Sequence, residues 1–158
     1  MKPQTYDKII SELKVDEGCK LIKYLDSEGH LTIGYGTLIT NMDEKELHYL
    51  GCHSIDDVQV ITQAHAEWLL MRRFNYTLAE LREKVPIFDS MPDTVQEALA
   101  NMAYNMGVPR LLGFKKMLAA LKEHRWIKAG NEAEDSVWFT QVGNRGPRIV
   151  AKLMDPAY

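Results

Sequence analysis

Cysteine is scarce in this chain of 158 residues: Cys19 and Cys52 are the only two. Two thiols exclude a disulfide-stapled scaffold, and in a reducing compartment both are expected free. Cys52-His53 has no second Cys/His pair at ligand spacing, so a structural zinc is not expected; no cofactor is expected either. No run of about eighteen apolar residues occurs, which argues against a bilayer-spanning helix. Met1-Lys2-Pro3-Gln4-Thr5-Tyr6-Asp7 carries no apolar stretch, so no secretion signal is expected and the chain should accumulate in the cytoplasm. Internal repeats and low-complexity segments are also missing. What remains is an ordinary globular composition, 46% hydrophobic and 26% charged, long enough for one domain, or two closely packed lobes, with a sizeable core.

The net charge of −3 conceals an uneven distribution. Residues 1–106 carry −7 and residues 107–158 carry +4. A basic second part suits an anionic polymer such as peptidoglycan, nucleic acid or acidic lipid, or is simply an unevenly decorated solvated surface. No nucleic-acid recognition motif accompanies the charge, so nucleic acid is not expected as a partner.

Hydrophobic spacing gives a coarse order of elements. Thr5 or Asp7 opens a first helix, in which Tyr6, Ile9, Ile10 and Leu13 recur at helical spacing, and Gly18 stops it. Leu21–Tyr24 reads as a strand, Asp26-Ser27-Glu28-Gly29 as a turn, and Leu31–Leu38 as a second strand interrupted by Gly34 and Gly36. A short helix follows over Asp43–Leu50. The longest helical pattern starts after Thr62 as N-cap and runs to about Lys84. Ala66, Leu69, Leu70, Phe74, Leu78 and Leu81 form its apolar stripe, and Pro86 ends it. Further helices are expected over Asp93–Met106, Leu111–Lys122, Arg125–Gly130, Ser136–Gln141 and Gly143–Leu153. Asp93 and Gly107 are the expected caps of the first of these. Trp126 and Trp138 read as core. The fold class is α+β, mostly α.

The chemistry concentrates between Glu17 and Thr32. Glu17 ends a helix, Asp26 sits in a turn, and Thr32 lies on a glycine-rich strand. Taken singly these are a surface glutamate beside Asp16, a common turn former and a β-branched strand residue. Together, two carboxylates on separate short elements facing such a strand are what glycoside hydrolysis needs. One protonates the leaving oxygen and the other handles water. The negative end of the helix dipole favours a protonated Glu17, and partial burial would favour it further. An ionised Asp26 would orient water, with the Thr32 hydroxyl on its other side. In the second half, Asn101-Met102-Ala103-Tyr104-Asn105-Met106-Gly107 places amides and a ring near a helix end, suited to sugar hydroxyls and sugar faces. Gln141, Asn144, Arg145 and Arg148 cluster at a loop–helix junction.

These motifs, in this order, resemble the phage T4-type lysozymes, muramidases of the endolysin class. The parts are Asp16-Glu17-Gly18, Tyr24-x-Asp26-x-Glu28-Gly29, Thr32-Ile33-Gly34-x-Gly36, Asn101-Met102, Met106-Gly107, Gly113-Phe114, Arg125-Trp126, Trp138 and Asn144-Arg145 with Arg148. The resemblance extends from about Leu13 to Leu153. It implies one lysozyme domain over residues 1–158. Within it, a small β-hairpin lobe (about 14–60) and a helical lobe (about 85–158 plus the N-terminal helix) are joined by a long helix (about 62–84), with the cleft between the lobes. It implies Glu17 as proton donor, Asp26 as second carboxylate and Thr32 as the holder of water, cleaving the β-1,4 bond from N-acetylmuramic acid to N-acetylglucosamine with inversion. Leu38, Tyr104, Asn105, Gln141 and Arg145 become expected sugar contacts, with Arg145 near the acid. The implied partner is peptidoglycan, met by a monomer that leaves the host cytoplasm for the wall through a separate holin and forms no stable membrane association. One departure is Thr37, where close relatives commonly carry a His that pairs with an Asp on the long helix; Arg73 stands near that Asp position here. A wall-docking domain without catalysis and a bacteriocin-like toxin are competing readings. Intact Glu17, Asp26 and Thr32 argue against the first, and the lack of room for an import segment against the second.

Overall fold

The computed structural model describes residues 1–157. It is mostly helical with one small antiparallel sheet, the expected α+β class. The first helix, α1, spans Pro3–Glu17. It starts two residues before Thr5, because proline at the first helical position loses no hydrogen bond there. Gly18 closes it at φ +65°, donating its amide to Lys14 O.

Three strands follow: β1 (Lys20–Leu25), β2 (Leu31–Gly34) and β3 (Thr37–Leu38), in the order β1-β2-β3. The single strand expected over Leu31–Leu38 is therefore two. Gly34 and Gly36 both adopt positive φ, 66° and 73°, and the chain reverses at Tyr35-Gly36, a path open to glycine without a steric cost. Thr32 sits in the middle of the sheet, opposite Tyr24 on one side and Leu38 on the other.

Helix α2 (Glu44–Tyr49) opens with a capping box. Asp43 accepts from the Glu46 amide at 2.8 Å, and the Glu46 carboxylate accepts from the Asp43 amide at 3.1 Å. Helix α3 (Gln63–Lys84) has 22 residues, about 33 Å of helix. Thr62 Oγ1 accepts from the His65 amide, as expected of an N-cap, and Pro86 lies just past the end. All six residues of its apolar stripe are buried.

The remaining helices are α4 (Asp93–Met106), α5 (Val108–Leu111), α6 (Lys115–Lys122), α7 (Trp126–Glu134), α8 (Val137–Gln141) and α9 (Arg145–Met154). Several expectations change here: α5 was not expected, and α7 runs on past Gly130 to Glu134. Pro92, not Asp93, occupies the cap position of α4; Asp93 is its first helical residue and takes Lys2 Nζ at 2.8 Å. The helix expected over Leu111–Lys122 is broken by a tight turn at Leu112-Gly113-Phe114, where a β-carbon on Gly113 would press on Arg110 O at 3.1 Å. Trp126 is not core: it is partly exposed and stacks on the ring of His124.

The chain forms two compact units, residues 12–75 and residues 1–11 with 76–158. The boundaries fall inside α1 and α3. The first unit holds the sheet over a core that includes Leu13, Ile33, Ile39, Leu69, Leu70 and Phe74. In the second, α7 packs on α6 and α9, and α9 on α4, over Leu99, Met102, Leu121, Ala129 and Leu153.

Candidate active site

Glu17 is the last residue of α1 and half-buried. The β2–β3 turn comes against its carboxylate: a β-carbon on Gly36 would lie 3.3 Å from Glu17 Oε2. Gly36 thus serves twice, supplying a positive φ and leaving room beside the carboxylate.

Asp26 follows β1 at the head of a tight turn. Its Oδ1 accepts from the amides of Glu28 (2.9 Å) and His30 (2.8 Å), an arrangement that short acidic side chains favour in turns. The His30 amide is the largest influence holding this carboxyl below the usual carboxylate range, with the Glu28 amide and the His30 ring adding to it against a smaller opposing effect of burial. With Oδ1 doubly bonded, Oδ2 is the oxygen left for chemistry; His30 Nδ1 lies 3.4 Å from it.

Thr32 is 2% exposed. Its hydroxyl donates to His30 O at 2.9 Å, so its only proton is committed and the oxygen can serve a further partner only as an acceptor. Opposite it, Tyr24 carries Lys20 Nζ 4.3 Å from its ring centroid. Burial raises the Tyr24 phenol, and the negative charges of Asp26 and Glu17 raise it further. Both carboxylates therefore act on one ring.

Of the expected site residues, Glu17, Asp26, Thr32 and Leu38 belong to unit 12–75, with Thr32 and Leu38 paired across strands. Tyr104, Asn105, Gln141 and Arg145 belong to the other unit. Tyr104 is half-buried, whereas Asn105 and Gln141 are exposed. The Asn105 side-chain oxygen accepts from Trp138 Nε1 at 2.9 Å, and Arg145 Nε donates to the buried Asn101 at 2.7 Å. Sequence reasoning missed Asn101 and Trp138 as anchors of these two, and missed His30 altogether. Only the amide-rich stretch hinted at the anchors.

Thr37, at the departure from the family pattern, is buried, and its hydroxyl has no hydrogen-bond partner among the described residues. Arg73 instead grips Glu46, Nε to Oε2 at 2.9 Å and Nη2 to Oε1 at 3.0 Å.

A helix-terminal glutamate, a turn aspartate and a mid-sheet threonine on this mostly helical fold define a class. The chain belongs to the phage lysozyme family, whose model it matches over residues 14–152, and is thereby a glycosidase of the lysozyme, or muramidase, type. It is similar to probable T4-type lysozyme 1 of Dictyostelium discoideum, 30% identical over 153 residues, which cover 89% of this chain and 90% of that protein. Probable T4-type lysozyme 2 of the same organism is 32% identical over 152 residues, 88% of this chain and 89% of that protein. The pre-baseplate central spike protein Gp5 of Enterobacteria phage T4 is 30% identical over 157 residues, 90% of this chain but 27% of the spike protein.

Proposed function

We propose that this lysozyme hydrolyses the β-1,4 bond between N-acetylmuramic acid and N-acetylglucosamine of peptidoglycan, with inversion, and that it degrades the wall for host lysis. The observation that carries this reading is the Asp26 turn: a carboxylate held in its ionised form by two amides, with Oδ2 bonded to no backbone group, and a buried threonine whose hydroxyl is bound to the same His30 and whose oxygen can only accept. Water placed there donates one hydrogen to Asp26 Oδ2 and the other to Thr32 Oγ1, leaving a lone pair for the anomeric carbon. As the bond to the sugar breaks, Glu17 gives its proton to the leaving oxygen, and Asp26 takes one from the water. Leu38 and Tyr104 are assigned to the sugar chain and Arg145 to the neighbourhood of the acid on the family resemblance, and Asn105 and Gln141 to the sugar chain on the chemistry of their amides. The enzyme acts as a monomer, uses no metal, binds no nucleic acid and reaches the wall from the host cytoplasm through a separately made membrane hole.

The test is clearing of chloroform-permeabilised Gram-negative cells by the parent and by Glu17→Gln. Rapid clearing by the parent alone supports the reading, and equal clearing by both removes Glu17 from its role. Lysis on expression without permeabilisation would contradict the need for a membrane hole. The anomer first released from a soluble oligosaccharide, followed by proton NMR, decides inversion. The likeness to the T4 spike protein favours a second reading, in which the same domain opens the wall as part of a larger assembly. Co-purification in a stable high-mass complex, in place of a free monomer, would support it.

A further inference from the structure

His30 connects the two water-handling residues in four ways. Its amide holds Asp26 Oδ1 at 2.8 Å, and its carbonyl accepts both the Asp26 amide and the Thr32 hydroxyl at 2.9 Å. Its ring brings Nδ1 to 3.4 Å from Asp26 Oδ2, the oxygen the backbone leaves open. The first three contacts come from the backbone, so any residue with an amide proton can make them. The fourth needs the imidazole.

From this geometry we infer that the His30 ring is a positioning residue for Asp26: it orients the open oxygen and favours the ionised carboxylate. The inference rests on the assignment of Asp26 as the base. A protonated imidazole at this distance places a cation beside the carboxylate and stabilises the anion. The pair is partly solvent-exposed, so the effect is modest. Glu28 Oε2 lies 3.7 Å from the same nitrogen and competes for the ring. From the neighbouring elements, the charged and titratable groups to be reckoned with are Lys20 and Tyr24 on β1 and Glu17 at the end of α1.

The test compares the pH dependence of kcat/KM on a soluble peptidoglycan oligosaccharide for the parent, His30→Ala and His30→Lys. Alanine keeps the backbone contacts and removes the ring; lysine restores a cation. With His30→Ala the acidic limb should move up by about 0.3 to 0.7 of a pH unit, a two- to fivefold loss of rate on that limb, with KM within about twofold. His30→Lys should return the limb to the parent position. Superimposable profiles for parent and His30→Ala, or a uniform drop in rate without a shift of the limb, would overturn the inference. A readout independent of turnover separates this from failure of the muramidase reading. The 13C titration of the Asp26 carboxyl should move up in His30→Ala even in a Glu17→Gln background, and an unmoved titration would also overturn it.

Discussion

Glu46 and Arg73 are 27 residues apart in sequence, yet the guanidinium of one holds both oxygens of the other, at 2.9 and 3.0 Å. The glutamate side chain is 3% exposed. A planar fork matched to a carboxylate is the geometry in which arginine, not lysine, binds best. Because Glu46 also closes the capping box of α2, the pair fastens α2 to α3. Arg73→Leu should leave the buried carboxylate only the Asp43 amide and Arg72, whose Nε lies 3.8 Å from Oε2, and lower stability by about 1–3 kcal/mol in urea unfolding, with little change in activity per folded molecule. A loss below about 0.5 kcal/mol would show the pair to be a surface contact in energetic terms.

Thr37 presents the opposite case, a buried hydroxyl without a hydrogen-bond partner among the described residues. Valine has nearly the same shape and needs no hydrogen bond. Thr37→Val should therefore raise stability by about 1 kcal/mol, seen as a higher Tm, with wall clearing unchanged. Destabilisation would mean that the hydroxyl is satisfied in solution.

Gly36 faces the Glu17 carboxylate at a φ of +73°. Gly36→Ala incurs about 1–2 kcal/mol of backbone strain. It also crowds Glu17 Oε2, so kcat should fall about tenfold or more, beyond what stability explains. Activity that falls only in step with the folded fraction would remove the turn from the acid's positioning.

The folded protein holds the Asp26 carboxyl below the ordinary value of an aspartate, the His30 amide being the largest cause. Its contribution to stability is thus fully present above about pH 4 and is lost as pH falls through the lower folded value. Asp26→Asn should lose less stability than the parent between about pH 5 and pH 2.5, in paired unfolding curves. Parallel curves would show that the turn does not discriminate between the two protonation states.

Much of this molecule was legible in short stretches of sequence. Thr62 and Pro86 bound α3, Gly18 ends α1, and Asp26 with Gly29 marks the turn, because caps and turns are decided by residues within four positions of one another. The candidate carboxylates were readable for the same reason, each standing at the end of an element. Gly34 and Gly36 marked an interruption of the strand but not a reversal, and the break at Gly113 was not readable, since a glycine permits a reversal without requiring one. Nor could spacing show that Arg73 would take Glu46, that Thr37 would be buried without a partner, that Gly36 would meet Glu17, or that Trp126 would stack on His124 at the surface. Local chemistry set where each element starts and stops. The pairings between distant residues came only with packing, because burial in a shared core determines which side chains are brought within reach.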